Sequence, residues 1–317
     1  MMRWLWLWSI GLFLFAVAGM VFAVWRSDLP LAYLEKKYAP LPSRFLNLGD
    51  GARVHYRDVG REGAPALILL HGSSSSLHTW EPWMELLRSD YRVLALDLPG
   101  HGLTGPVPGH DDSMRGMAEL VHQFARARGI ERAVLVGNSM GARVALTYAQ
   151  LYPQAVQALI LVSGGAQLDE DERSVGLFRF VGHPLGRAVL TRILPRGGVA
   201  RTLRASVAEP QEFVTEAMID RYYELLLRPG NRVASARRFA AAPEEIDVGA
   251  IAAPALLLWG EEDQLVPPKY GVRLHALLPR SELILYPDVG HLAMEEIAQK
   301  SARDARDFLT RALAPPR

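Results

Sequence analysis

The sequence predicts an α/β fold, a mostly parallel sheet covered by helices on both faces. Three observations lead there. Short runs rich in Val, Ile, Leu and Ala recur at Ala66–Leu70, Arg92–Leu96, Ala133–Val136, Ala158–Val162, Ala255–Trp259 and Glu282–Tyr286. Stretches of helical spacing separate most of them, the pattern of parallel strands buried on both sides. A glycine-bracketed turn, Gly137-Asn138-Ser139-Met140-Gly141, links the third run to a helical segment from Ala142 to Tyr152. At 317 residues, half of them hydrophobic and 22% charged, the chain can bury one large core with a smaller subdomain.

Taken in order, the chain begins with an apolar stretch, Trp4 to Trp25, which carries no charge and has Ser9 as its one polar side chain. As a helix these 22 residues would span roughly 33 Å, enough for a hydrocarbon core of about 30 Å. Trp4, Trp6, Trp8 and Trp25 stand near its ends, where indoles favour the membrane interface. Residues 1–26 are therefore expected to form a single-pass transmembrane anchor. The competing reading is a cleaved signal peptide with Ala16-Val17-Ala18 as its site, but such apolar regions run about 7–15 residues. Residues 27–43 form a juxtamembrane connector. Leu31, Leu34 and Tyr38 recur at helical spacing, while Pro30 and Pro40 also permit an ordinary linker.

Arg44–Leu48 and Val54–Asp58 flank Gly49-Asp50-Gly51 and read as a hairpin. The core is expected to comprise residues 44–165 and 246–317. Between them, residues 166–245 have helical periodicity, twelve arginines and breakers at Pro184, Pro195, Gly197, Gly198 and Pro210, and are expected to form an inserted helical cap. A net charge of +1 excludes a global nucleic-acid footprint. The absence of cysteine excludes disulfides, thiolate metal sites and a cysteine nucleophile.

A G-x-S-x-G turn between strand and helix has the form of a nucleophile elbow, in which a strained serine is presented with little bulk around it. A serine hydroxyl needs a base to take its proton, and that base needs a third group to orient it. Candidates follow Ser139 in suitable order. Glu261, Glu262 and Asp263 follow the strand ending at Trp259, and His291 ends Pro287-Asp288-Val289-Gly290-His291 after the strand ending at Tyr286. Both groups fall at carboxyl ends of strands, where open α/β sheets place their sites.

With these motifs the chain resembles the α/β-hydrolase superfamily from about Leu67 to His291. His71-Gly72-Ser73 is similar to its oxyanion loop and Asp97-Leu98-Pro99-Gly100-His101-Gly102 to its turn after the next strand. Trp259-Gly260-Glu261-Glu262-Asp263 is similar to its acid loop and Gly290-His291 to its histidine loop. The resemblance implies an eight-stranded, mostly parallel sheet with Ser139 as nucleophile, His291 as general base and Asp263 as its orienter. The backbone N–H groups of Ser73 and Met140 would form the oxyanion hole. Glu261 and Glu262 compete with Asp263 for the acid role, and family spacing favours Asp263. Asp288, His101 and Ser74 to Ser76 are expected to shape loops. His55, His78, His110, His122, His183 and His275 lack metal-ligand spacing. No metal or organic cofactor is implied.

Serine at the elbow argues against the related haloalkane dehalogenases and epoxide hydrolases, which carry Asp there. Hydrolysis of an ester, thioester, amide or lipid remains, or cleavage of a C–C bond. The elbow also resembles that of ring-cleavage-product hydrolases, although Ser73-Ser74-Ser75-Ser76 replaces their glycine- and proline-containing run. The anchor makes the chain similar to membrane-bound monoacylglycerol lipases and bacterial inner-membrane phospholipase A enzymes. The expected function is a membrane-anchored serine hydrolase cleaving carboxylic esters of lipids through an acyl-enzyme. Its expected partners are an acyl-ester lipid substrate and the bilayer, with no nucleic acid; a homodimer is compatible with the sequence. The alternatives are a C–C bond hydrolase and a non-catalytic membrane-tethered ligand-binding module.

Orientation stays open. Arg26, Lys36, Lys37 and Arg44 favour a cytoplasmic C-terminal side, whereas Arg3 before the apolar stretch resembles an uncleaved secretory signal. The working expectation is a periplasmic catalytic domain on a bacterial inner membrane. Arg179, Arg187, Arg192, Arg196, Arg201 and Arg204 lie in a stretch without Asp or Glu. They read either as a patch for anionic headgroups or as a solvated face paired with acids elsewhere.

Overall fold

The computed structural model describes residues 19, 25–49, 51–109, 112–165, 191–240 and 244–314. Eight strands form one sheet in the order β1-β2-β4-β3-β5-β6-β7-β8. They are β1 (Arg44–Asn47), β2 (Arg53–Gly60), β3 (Ala66–Leu70), β4 (Arg92–Leu96), β5 (Ala133–Asn138), β6 (Val156–Val162), β7 (Ala255–Gly260) and β8 (Ser281–Tyr286). The hairpin β1–β2 pairs antiparallel, as does β2 with β4; all other neighbours are parallel. From β3 the chain steps outward to β4, then returns across β3 to β5. The crevice between the carboxyl ends of β3 and β5 is therefore a topological switch point, where ligands bind in open α/β sheets.

The parallel strands read as continuous apolar runs because both faces of the sheet are covered. Ile68 and Leu70 enter the layer containing α3 (Met114–Ala127) and α4 (Met140–Leu151). Leu67 and Leu69 enter the opposite layer, with α2 (Glu81–Leu87) and the C-terminal helix Ala298–Ala312. This period-two division spreads apolar residues to two cores. Several boundaries shift by one or two residues from the sequence expectation, and two of the shifts have tertiary reasons. β2 runs on to Gly60 because β4 continues the ladder at Val59↔Val93 and Gly60↔Arg92. Helix α4 begins at Met140 rather than Ala142, so that Gly141 lies inside its first turn, against the backbone of β3.

Among the described residues, the segment between β6 and β7 is helical. It contains α5 (Arg196–Ala205), a single turn at Pro210–Phe213, α6 (Glu216–Leu226) and α7 (Asn231–Ala240). Thr215 caps α6, its hydroxyl accepting the Met218 N–H at 3.1 Å. Arg179, Arg187 and His183 lie outside the described residues, as does His110. Of the remaining arginines in the basic stretch, Arg196 pairs with Glu216 and Asp220, both at 2.7 Å, and Arg204 lies 3.9 Å from Glu216. For these two, the paired-face reading holds.

The connector is a helix, α1 (Leu31–Tyr38), resolving the two readings left open above. Leu34 and Tyr38 bury against Leu103 of the core and Leu225 of α6. Glu224 of α6 accepts from Lys37 and Tyr38, both at 2.9 Å, and Arg232 pairs with Asp28 at 2.6 Å. Ahead of α1, Trp25 bridges to Ile193 and Arg26 N–H donates to the Arg192 carbonyl at 2.9 Å. The expected anchor itself lies outside the described residues apart from Gly19, Trp25 and Arg26. Among the described residues, no helix is long and apolar enough to cross a membrane.

His78 ties the connector to the core. Its Nε2 donates to the Tyr38 carbonyl at 2.8 Å and its Nδ1 accepts the Ser76 hydroxyl at 2.9 Å, the arrangement of a neutral ring. Burial pushes its pKa down to about 4. An unfolded histidine titrates near 6.5, so between about pH 6.5 and 4 the unfolded chain binds more protons and stability falls as pH falls. Chemical denaturation across that window is expected to show the decline, and His78→Gln is expected to flatten its slope.

Candidate active site

The site is assembled from the loops that follow β3, β5, β7 and β8. At the end of β5 the backbone turns sharply, leaving Ser139 at φ 53° and ψ −114° as the residue before α4. A non-glycine residue with positive φ is strained. The surrounding glycines permit the turn by letting backbone approach backbone. A Cβ on Gly137 would lie 2.3 Å from the Gly141 carbonyl oxygen, and one on Gly141 would lie 2.1 Å from that of Leu70. The Ser139 N–H donates to the Val162 carbonyl at 2.9 Å, which fastens the elbow to β6.

Asp263 and His291 meet as a buried pair, Nδ1 to Oδ2 at 2.7 Å. The other carboxylate oxygen, Oδ1, accepts the N–H groups of Leu265 and Val266, each at 2.9 Å. With both oxygens accepting, the carboxylate accepts the hydrogen bond of His291 Nδ1–H, which stays on the ring and leaves Nε2 as the unprotonated nitrogen. Glu261 and Glu262 are exposed on the same loop, and Asp288 is exposed in its own turn. The histidine loop is held at three points. His291 N–H donates to the Ser206 carbonyl at 2.7 Å, and Asn138 Nδ2 donates to the His291 carbonyl at 3.2 Å. Glu296 accepts the N–H groups of Gly290, Leu292 and Ala208. Burial raises the Glu296 carboxyl pKa, against the pull of those three donors.

Asn138, beside Ser139, thus joins the histidine loop to the elbow. The Ser139 hydroxyl makes no hydrogen bond to His291 among the described residues; such contacts often tighten only when substrate arrives.

The loop after β3 closes the other side. A Cβ on Gly72 would lie 2.7 Å from Asn138 Oδ1 and 3.3 Å from Ser139 Cβ, so this backbone rests on the elbow. His71 anchors it. Its Nε2 accepts the Leu98 N–H at 3.0 Å, which leaves the Nδ1 proton for the Gly72 carbonyl at 2.8 Å. Burial lowers its pKa, in keeping with a neutral ring. Met140 stands at the first position of α4 and Ser73 directly follows Gly72; among the described residues neither N–H has an acceptor. His101 is buried, bonded to the Pro99 carbonyl at 2.9 Å and packed edge-on against His71. Of the serines beyond Ser73, Ser75 donates to Tyr222 and Ser76 to His78, while Ser74 has positive φ. Among the described residues, no group of His, Asp and Glu side chains is arranged to hold a metal ion.

Several contributors were not singled out in the sequence. Asp97 is wholly buried, and its carboxylate accepts from the Leu77 and Leu103 N–H groups and from His55 Nδ1, each at 2.7 Å. Burial alone would raise its pKa; His55, His71 and His78 outweigh that and hold it well below the usual carboxylate range. Glu296 and Arg238 are likewise invisible to motif spacing. Nothing in the sequence separates Arg238 from the eleven other arginines of its segment.

An elbow serine, a buried Asp–His pair and a loop of free N–H groups at the switch point of such a sheet define an α/β hydrolase. The chain belongs to the Alpha/beta hydrolase family, whose model matches residues 67–303, and it is a hydrolase. It is 32% identical to the hydrolase YugF of Bacillus subtilis, over 82% of this chain and 95% of that one. It is 30% identical to a 2-hydroxy-6-oxononadienedioate/2-hydroxy-6-oxononatrienedioate hydrolase of Paraburkholderia xenovorans, over 84% and 95% of the two chains. Among solved structures it is similar to a membrane phospholipase A described as a bacterial virulence factor. The identity there is 25% and the TM-score 0.72, over 98% of this chain and 97% of that one.

Substitution of Ser139 by Ala is expected to abolish covalent labelling by a fluorophosphonate probe and lower kcat by about six orders of magnitude. Asp263→Asn should retain the fold, read by thermal unfolding, yet lower kcat about 10⁴-fold. Glu262→Gln should change kcat little.

Proposed function

We propose that the protein is a membrane-anchored serine hydrolase that cleaves carboxylic esters of lipids. The observation that carries this reading is the nearly end-to-end similarity to a membrane phospholipase A, 98% of one chain against 97% of the other. The uncharged stretch from Trp4 to Trp25 supports it. So does the stitching of Trp25 and Arg26 to Ile193 and Arg192, which would hold the inserted helices close to an anchored N-terminus.

In this reading Ser139 Oγ attacks the ester carbonyl while His291 Nε2 takes its proton. Asp263 keeps the ring in the required tautomer and stabilises the imidazolium. The N–H groups of Ser73 and Met140 receive the negative charge that develops on the carbonyl oxygen, each worth about 3–4 kcal/mol of barrier. The leaving alcohol takes the proton from His291, and water then releases the acyl group by the same steps in reverse order.

Cleavage of a C–C bond in a vinylogous diketo acid is a second reading, supported by the 30% identity to a hydrolase of 2-hydroxy-6-oxo dienedioates. The two readings separate in one experiment. Full-length protein purified in detergent is expected to hydrolyse medium- and long-chain acyl esters and lysophospholipids, with Ser139→Ala as control. Turnover of a vinylogous diketo acid with no ester hydrolysis would replace the first reading by the second. Deletion of residues 1–24 is expected to move the protein from the alkali-resistant membrane pellet to the soluble fraction; retention in the pellet would remove the anchor from the proposal.

A further inference from the structure

Three arginines are buried among the described residues. A guanidinium cannot shed its charge at neutral pH, so burial calls for a partner. Arg57 pairs with Glu81 at 2.5 Å and Arg232 with Asp28 at 2.6 Å. Arg238 of α7 is different. It is 9% exposed, and among the described residues no carboxylate forms an ion pair with it. Its Nη2 reaches two hydroxyls, Ser73 Oγ at 3.1 Å and Ser235 Oγ at 3.4 Å, and its Nη1 is buried without any partner. Burial lowers its pKa to about 10, with the more distant Asp112 acting against the shift. The group remains a cation.

Its position gives that unmet charge a meaning. Ser73, which Arg238 touches, follows the glycine that rests on Ser139, and its N–H is free on the same loop. A cation with spare donors therefore stands one side chain away from the place where a substrate carbonyl would be held. Arg221, the other cap arginine near the catalytic loops, lies 3.6 Å from the Glu295 carboxylate and is compensated internally.

We propose that Arg238 is the anion-recognition residue of this site: it receives an anionic oxygen carried by the substrate a few bonds from the scissile carbonyl. The proposal rests on the ester-hydrolase reading above and narrows its substrate class to acidic acyl esters. Phosphate of a glycerolipid and carboxylate of a half-ester share the required chemistry, since either offers two oxygens to a planar fork of N–H donors.

The test compares two pairs of esters: neutral monododecanoylglycerol with dodecanoyl glycerophosphate, and the dimethyl ester of a five-carbon dicarboxylic acid with its monomethyl ester. The wild-type protein is expected to prefer one anionic ester over its neutral counterpart by about tenfold or more in kcat/KM. Whichever arm shows the preference names the source as phosphate or carboxylate. Arg238→Gln is expected to collapse that preference to near unity, and Arg238→Lys to retain part of it, because one charge survives without the fork.

Equal proportional losses on all esters in Arg238→Gln would make Arg238 a strut for the Ser73 loop and overturn the proposal. So would a wild-type enzyme indifferent to both anions, a result that needs no variant to fold. Fluorophosphonate labelling of Ser139 keeps the two readings apart. Labelled protein that hydrolyses esters but ignores charge fails only the Arg238 assignment, whereas protein that neither labels nor cleaves any ester fails the reading beneath it.

Discussion

The rest of the site depends on how closely main chain can approach Ser139. The loop after β3 presses on the elbow through Gly72, the first turn of α4 lies against the Leu70 carbonyl through Gly141, and the loop after β6 meets Ser139 at Gly164. A Cβ on Gly164 would lie 2.4 Å from Ser139 Cα. At Gly137, Gly141 and Gly164 the atoms in the way are backbone, which cannot swing aside as a flexible side chain can. The approach is what allows one strained residue to be held from three strands. A positive φ at serine costs about 1–3 kcal/mol. Fixed contacts offset it: the Val162 carbonyl accepts the Ser139 N–H, and the Ser139 carbonyl accepts the Ala142 N–H at 3.1 Å. Ser139 is thereby held in place before any substrate is present.

Around that contact lies a layer of buried polar groups whose task is to fix loops. Asp97 joins the end of β4 to the backbone at Leu77 and Leu103 and to His55 on β2. His71 spans from the Leu98 N–H to the Gly72 carbonyl, so the loop that would receive the carbonyl oxygen is tied to the same turn. A carboxylate this deep is tolerable because its oxygens are matched by donors; removing those donors would leave an uncompensated charge. Glu296 does the corresponding work on the other side, gathering the histidine loop and Ala208 of the insertion onto one carboxyl group. The two acids hold opposite rims of the site, which explains why neither stands in the elbow, acid or histidine motifs.

The division between what the sequence reveals and what it hides follows from this construction. Strands buried on both faces appear as continuous apolar runs, and each of the eight lies within three residues of its expected boundaries. Ser139, Asp263 and His291 stand in short local motifs because each must follow a strand end with particular turn chemistry. Family spacing favours Asp263 over Glu261 and Glu262, and the fold separates them outright, since its two neighbours are exposed and it is buried. The connector's helical spacing is legible at Leu31, Leu34 and Tyr38, but its contacts, the Asp97 hub and the lack of a carboxylate partner for Arg238 among the described residues depend on residues far apart in the chain, and local periodicity carries no trace of them. Composition even misleads at the basic stretch of the insertion, since the acids that neutralise Arg196 lie twenty or more residues later, on α6.

Helix α6 connects these layers. On one side Glu224 accepts from Lys37 and Tyr38 of the connector, and Arg26 reaches Tyr223 at 3.0 Å. On the other, Tyr222 receives the Ser75 hydroxyl of the loop after β3, and Arg221 meets Glu295, four residues beyond His291. The same Glu295 accepts from Thr79, so the loops on both sides of Ser139 converge on one short helix. The connector and both catalytic loops therefore cannot be positioned independently of α6. A chain that needed its connector only as a tether would have no cause to bury Leu34 and Tyr38 against core and insertion together. The contacts instead make the N-terminal segment part of the wall that orients the insertion over the catalytic loops. The core thus supplies the loops that carry Ser139, Asp263 and His291, and the insertion, held by the connector, packs against them through Ser206, Ala208 and Tyr222.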